Sequence, residues 1–529
     1  MRAGFVFFGW MVLALAPATA LAHQSVHYEI RYVADEAPDA PPWLEITATF
    51  ESDGSGLVSL YIPTSIDRDR RNQSRITDLE VVSEFSELTD HTYQAANQYT
   101  LYHAPDMPGI IRYRLHGLAE ELQSFAAPWQ TSQIVTRGFV HLDASAALAI
   151  PSWGVDGYDW DEDVSVRITW HDLPTRWTTA DSFGHGREPR RFHSSVIDLF
   201  ESRLVAGPFR VSSRFVGGSR IQVAVLGRWD FTPRQYARAV TDIAWAHHEF
   251  WNDEDQAGYL ATLIPIESFL DAEITTALAA NADLNASSIF TSRGRSLSQI
   301  RSTISHEYLH RWIEAAFGMP EPPIEASRWF TEGFTNFFAA YVPFRAGVID
   351  ELEFLLWHGD AFAKRDRAPQ SGVSQDEMVE GWSFNSGLAS VPYWQGHLLA
   401  ANWQARIVAD TDGAVHLQDV LFEFREAQDQ LRARGEPWVW SSESLVEIME
   451  GRGFDFARRD YQTVLLDGEP LEVGSETAGP CLVPVLREHD NRPSEGLTFG
   501  GVSFPFGPVA QGEMSRGQRA ACRVWLDLD

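Results

Sequence analysis

The chain has 529 residues, with 42 Lys and Arg against 73 Asp and Glu, for a formal net charge of −31. That length is ample for several domains, and the acidic balance excludes a nucleic-acid binder, which needs a basic surface. Net charge of this sign serves solubility first.

The N-terminus opens with Arg2, an apolar run from Phe5 to Ala16, and Ala20-Leu21-Ala22 before His23. This is the pattern of a secretory signal peptide, residues 1–22, cleaved after Ala22. It is too short to span a bilayer as a helix. The residue directly after the cleavage point is His23 rather than a lipid-bearing cysteine, and no later stretch is long and apolar enough to cross a membrane, so the expectation is a periplasmic or secreted protein without a stable membrane anchor.

Residues 23–216 alternate apolar and polar side chains between frequent turn signals, as in Leu44-Glu45-Ile46-Thr47-Ala48-Thr49-Phe50 and Ser165-Val166-Arg167-Ile168-Thr169-Trp170. Period-two alternation of this kind predicts antiparallel sheets in a β-sandwich domain. From 217 to 349 the order changes to strand Ile221–Leu226, an amphipathic helix over Pro233–Phe250, a strand near Tyr259–Ile264, a strand at Ser288–Phe290, and then helices. The adjacent His247 and His248 point about 100° apart on a helix, cannot converge on a metal, and read as surface or packing residues.

The next helix carries the chemistry. Ser296-Leu297-Ser298-Gln299 fits a capping box, Ile300 and Ile304 continue at helical spacing, and Gly318 and Pro320 are stop signals. The predicted helix runs over roughly Leu297–Phe317. Within it stands His306-Glu307-Tyr308-Leu309-His310, an H-E-x-x-H run. Residues four apart share a helix face, so His306 and His310 can meet at one zinc ion with Glu307 at its edge as general base. The segment Ser327–Val342 predicts a second, aromatic helix ended by Pro343. Its one acidic residue, Glu332, needs a partner in apolar surroundings. Either the metal takes it as third ligand, completing a His, His, Glu set for one Zn²⁺ per chain, or Arg328 pairs with it one turn earlier.

Residues 350–472 read as mostly helical, interrupted by a polar loop, Arg367–Ala389, that frames the cleft. The tail, 473–529, is Gly-rich and β-like around Leu497–Val502. It holds the two cysteines, Cys481 and Cys522. In an oxidising compartment these form a disulfide stapling the tail; buried free thiols are the other reading.

These motifs carry a family resemblance. H-E-x-x-H followed by Trp329-Phe330-Thr331-Glu332-Gly333-Phe334 resembles the gluzincin zinc metallopeptidases, most closely the glycyl aminopeptidase family and more distantly the aminopeptidase N-type enzymes. Twenty-one residues lie between His310 and Glu332, against eighteen in the aminopeptidase N pattern. Ser390-Val391-Pro392-Tyr393-Trp394-Gln395-Gly396 is similar to the family's Tyr-x-x-Gly element. That resemblance implies an oxyanion donor at Tyr393, which on its residues alone also fits a core tyrosine at a helix start. Similarity extends from about Val223 to Val473. It implies a multidomain α+β protein: an N-terminal β-sandwich, a thermolysin-like α+β catalytic domain, and a C-terminal helical region with a short β-like tail. The family often ends in a PDZ domain, for which too few residues follow Leu471.

One element departs from the pattern. The family carries G-x-x-E-H on a strand upstream of the zinc helix, its glutamate holding the substrate's free α-amine. Here Asp283-Leu284-Asn285-Ala286-Ser287-Ser288 puts Asn285 where the glutamate is expected, and a neutral amide makes no charge-assisted bond to an ammonium. Asp283 is the nearby acid, two positions away. The expectation is therefore an exported zinc metallopeptidase acting on peptide or protein substrates, aminopeptidase-like in type. Its substrate lies along an edge strand near Ser288–Phe290, with Asn285 and Ser288 as substrate-binding residues. The alternative is a zinc-bearing envelope binding or assembly protein with little or no peptidase activity.

Overall fold

The computed structural model describes residues 24–471 except 35–36, 38–39, 52–53, 65–74, 92–96, 118–132, 154–157, 254–257, 269–277, 368–371, 383–385, 435 and 437–438; beyond these it describes 482–484, 506–508 and 516–526. The expected signal peptide, Cys481 and the stretch Leu497–Val502 lie outside the described residues.

The alternating N-terminal segments do form strands. A six-stranded sheet runs in the order Arg190–Ser195, Asp163–His171, Ser25–Val33, Trp43–Glu51, Gly109–His116, Ile76–Val81. Along Ser25–Val33 every second side chain, Val26, Tyr28, Ile30 and Tyr32, is buried. A four-stranded sheet, Ile150–Ser152, Leu57–Tyr61, Gln98–Tyr102, Glu87–Asp90, contributes Val58, Leu60 and Leu101 to the same core. Each such side chain stabilises the fold by about 1.5–3 kcal/mol through area removed from water. A third, five-stranded sheet is ordered Gly184–His185, Thr178–Asp181, Arg203–Gly207, Val140–Asp143, Gln133–Val135.

The sheet that supports the site is mixed: Arg210–Val216, Ser219–Val225, Tyr259–Pro265, Ala286–Thr291, Leu278–Asp283. Arg210–Val216 pairs with Ser219–Val225, so this hairpin straddles the boundary expected after residue 216. Ile134, Phe139 and Val205 of the third sheet share a core with Ala224, Leu260 and Phe290 of this one. The fully buried Arg203 crosses the same junction. It donates from Nη1 to Ser288 Oγ at 2.9 Å and pairs with Asp143 and Asp283.

The strand around Ser288–Phe290 is not the edge. Ala286–Thr291 pairs parallel with Tyr259–Pro265 on one side and antiparallel with Leu278–Asp283 on the other, and all six of its residues are buried. Its backbone groups are spent inside the sheet. The edge belongs to Leu278–Asp283, which the sequence reading missed because Leu-Ala-Ala-Asn-Ala lacks the β-branched and aromatic residues that mark strands.

Four helices carry the site. Helix α1, Pro233–Trp251, starts at a capping box of Thr232 and Gln235 with Pro233 in its first turn. Helix α2, Leu297–Leu309, starts at the expected capping box of Ser296 and Gln299. It stops earlier than predicted, at His310, where the chain turns through Glu314 at φ 117 into a short 3₁₀ turn, Ala315–Phe317. Burial of Trp312, Ile313 and Phe317 fixes that irregular path, against the helical periodicity. The predicted helix Ser327–Val342 is split: Arg328–Thr331 forms one turn, Glu332 is the junction, and α3 runs Gly333–Arg345. Pro343 lies inside α3 rather than ending it. It sits in the last turns, and its carbonyl accepts from the Val348 and Ile349 N–H groups beyond. Helix α4, Ser386–Asp410, takes up part of the expected polar loop, as does the helix Gln375–Gly381.

The remaining segment is helical as expected, including Glu351–Arg367, Leu417–Ala433 and Ser444–Gly451. The tail is only partly β-like. Leu482–Pro484 pairs with Phe506–Pro508, but Arg516–Trp525 is a helix. Trp525 is buried in the core, and its carbonyl accepts from Tyr341 Oη and Gln404 Nε2 at 3.0 and 3.1 Å.

Candidate metal centre and active site

The floor of the site is α2 packed on α1. His247 and His248 are both buried, and both hold α2 from behind. Ser305 Oγ donates to the Ala339 carbonyl at 2.8 Å, so His247 Nε2, 2.9 Å away, donates to Ser305. Burial, reinforced by His248, lowers the His247 pKa to about 3, so the ring is neutral and its one N–H is the Nε2 proton given to Ser305. His248 Nε2 lies 2.9 Å from Tyr308 Oη. Both histidines are packing residues, tied to positions 305 and 308 of the motif helix.

On the opposite face of α2, His306, His310 and Glu332 converge. Among the described residues they are a group of side chains able to hold a metal ion, with ligand atoms within 4.8 Å of one another. His306 Nε2 is 3.1 Å from His310 Nε2 and 3.2 Å from Glu332 Oε2, and His310 Nε2 is 3.6 Å from that same oxygen. Zinc–nitrogen bonds of about 2.0–2.1 Å at a tetrahedral angle place two ligand nitrogens about 3.3 Å apart. The donor types and spacings fit zinc. Both candidate partners of the Glu332 carboxylate lie against it: Oε2 faces the histidines while Oε1 accepts from Arg328 Nη1 at 2.9 Å. Despite burial, its neighbours His306, His310 and Arg328 hold its pKa down to about 2. It is ionised at neutral pH, as a ligand must be.

Glu307 is buried beside this set. Burial raises its pKa above the usual glutamate value, and the charges of His306 and His310 oppose that shift. A raised carboxylate is the better proton acceptor near neutrality. The Tyr393 ring stacks on His306, centroids 6.0 Å apart at 25°. Burial first, then the Glu332 charge, push its phenol well above the ordinary range, so it keeps its proton and can donate.

Asn285 and Ser288 are placed elsewhere. Asn285 sits in the turn between the last two strands, fully buried, and its Nδ2 donates to Asp198 Oδ1 at 2.8 Å. Ser288 Oγ is fully buried among His141 Nε2, Arg203 Nη1 and Thr262 Oγ1 at 2.7, 2.9 and 2.6 Å. Ser288 Oγ is thus held at the junction between sheets, and Asn285 is tied through Nδ2 to the helix Val196–Phe200, its Oδ1 buried without a hydrogen-bond partner among the described residues.

Three residues join the site beyond those that the sequence assigned to it. Glu314 Oε2 lies 3.2 Å from His310 Nδ1, and Arg328 Nη1 lies 3.6 Å from Glu314 Oε1. The spacing His310–Glu314, one helical turn, was the available signal for that pair. Arg328 was visible only as a competitor for Glu332 and proves to be its companion. The third is Glu201. Its pKa is pushed up to about 7, chiefly by burial, with nearby Glu314 and Asp143 adding to it. It is brought to the site from the N-terminal region and carries no local signature.

Residues 299–383 match the family model of the M61 glycyl aminopeptidases. No curated protein matches the chain by sequence. Among solved structures it is similar to an aminopeptidase N family protein from Idiomarina loihiensis, with TM-score 0.64 and 15% identity over 90% of this chain and 82% of that one. A mutant M1 zinc metallopeptidase from Deinococcus radiodurans, bound to a Tyr-Ser-Ala substrate, aligns with TM-score 0.48 and 14% identity over 85% of this chain and 96% of that one. The multidomain α+β fold is that of the aminopeptidase N family proteins. The matched segment spans H-E-x-x-H through Glu332, so over residues 299–383 the chain is similar to the M61 glycyl aminopeptidases, and its fold is similar to that of an aminopeptidase N family protein.

Proposed function

We propose that the chain is an exported zinc metallopeptidase that hydrolyses peptide bonds, with His306, His310 and Glu332 holding the ion. The observation that carries this reading is the convergence of those three side chains with Glu307 and Tyr393 around them. Zinc held there would supply Lewis acidity to the scissile carbonyl and acidify water. Glu307 takes a proton from the attacking water and passes it to the leaving amine. Tyr393 donates to the oxygen on which negative charge develops, and its raised pKa keeps that donor proton in place. The substrate backbone extends along the edge strand Leu278–Asp283, which has a neighbouring strand on one side only.

Export rests on the N-terminal pattern of Arg2, the apolar run and Ala20-Leu21-Ala22; no helix among the described residues is long and apolar enough to cross a membrane. The second reading is a zinc-bearing envelope binding protein. The observation that favours it is Asn285, neutral and tied to Asp198 where the family's amine-holding glutamate is expected.

Metal analysis of the purified protein, combined with cleavage of a peptide library with free and acetylated N-termini, separates the two. The peptidase reading expects one zinc per chain and cleavage abolished by a chelator, with preference for free N-termini. Stoichiometric zinc with no chelator-sensitive cleavage would establish the binder.

A further inference from the structure

We propose that Glu314 is a positioning residue that braces two zinc ligands at once, orienting His310 directly and Glu332 through Arg328. This rests on the zinc reading above and goes beyond it. The two oxygens of one carboxylate divide the work: Oε2 is 3.2 Å from His310 Nδ1 and Oε1 is 3.6 Å from Arg328 Nη1. The same Arg328 nitrogen donates to Glu332 Oε1 at 2.9 Å, on the oxygen that does not face the histidines. The chain His310–Glu314–Arg328–Glu332 is therefore a closed loop of contacts around the metal-facing atoms. Arg328 is held from its other side by the Trp382 ring, 5.7 Å from the guanidinium carbon.

The backbone points the same way. Glu314 has φ 117 and ψ −70, a region sparsely populated by residues with a side chain. Such conformations persist where the surroundings over-determine them and concentrate at functional sites. Trp312, Ile313 and Phe317, all fully buried, clamp the turn on both sides. The helix stops at His310 and the turn that replaces it presents a carboxylate to that histidine. Carboxylates behind ligating histidines fix ring orientation and raise ligand basicity, and their loss costs metal affinity about 10–100-fold.

The test uses the full-length protein and zinc itself, titrated by chelator competition. Glu314→Gln keeps size and backbone while removing the charge. It is expected to weaken zinc binding by about 10–100-fold and to alter the visible spectrum of the cobalt-substituted protein, with the metal-free melting temperature unmoved. Arg328→Gln is expected to act in the same direction, and the double variant to lose less than the two singles combined, because the residues serve one brace. Unchanged zinc affinity and cobalt spectrum in Glu314→Gln would overturn the proposal while leaving the zinc reading intact. So would a rise in KM confined to substrates with free N-termini, which would make Glu314 a substrate contact. Failure of the parent protein to bind zinc would overturn both.

Discussion

Gly333 and Gly396 touch backbone to backbone: a Cβ on Gly333 would stand 2.4 Å from the Gly396 Cα, and one on Gly396 would stand 1.8 Å from the Trp329 carbonyl oxygen. Glu332 immediately precedes the first glycine and Tyr393 lies one helical turn before the second. The close crossing of α3 and α4 thus sets the phenol beside the carboxylate. Gly396→Ala forces the helices apart, since neither contact is a flexible side chain. It is expected to destabilise the protein by about 1–3 kcal/mol and to lower zinc content and activity together. Thermal melting with metal analysis checks it, and an unchanged zinc content would show that the crossing does not position the ligand.

Glu307→Gln should abolish turnover while zinc remains bound. The amide occupies the same volume between His306 and His310 but accepts no proton from water. Metal content measured beside peptide hydrolysis decides it, and retained hydrolysis would rule out the proposed mechanism.

Tyr393→Phe retains the ring stacked on His306 and deletes only the donor. Loss of one oxyanion donor is worth about 10²–10³ in kcat. The expectation is a fall of that order with KM little changed. A loss that appears wholly in KM would make Tyr393 a binding residue instead.

Glu201→Gln should change stability in a pH-dependent way. The carboxyl titrates at about 7 in the folded protein against an ordinary 4.5, so the fold holds its proton more tightly than the unfolded chain does. That contribution is fully present below about 4.5 and is lost as pH rises through about 7. The glutamine cannot ionise, so the variant should exceed the parent by on the order of 1 kcal/mol at pH 8, the difference vanishing near pH 4. Denaturant titrations at the two pH values measure it. Equal differences at both would show that Glu201 does not titrate between them.

The sequence by itself determined the chemistry that depends on local spacing. H-E-x-x-H puts His306 and His310 on one helix face by the geometry of the helix, and the Ser296–Gln299 box marks its start for the same reason. Glu332 was legible because a lone acid in an aromatic helix demands a partner. The alternation of Val26, Tyr28, Ile30 and Tyr32 likewise announced a strand with one buried face. The tertiary structure decided what depends on residues far apart in the chain. That Ser288 is interior follows from its pairing with Leu278–Asp283 and from Arg203 reaching across from another sheet. Helix α2 stops at His310 because burial of Trp312, Ile313 and Phe317 outweighs helical propensity. Glu314, Arg328 and Glu201 acquire roles only once three separate segments meet, since long-range packing and shared burial, unlike helical periodicity, leave no regular trace in the order of residues.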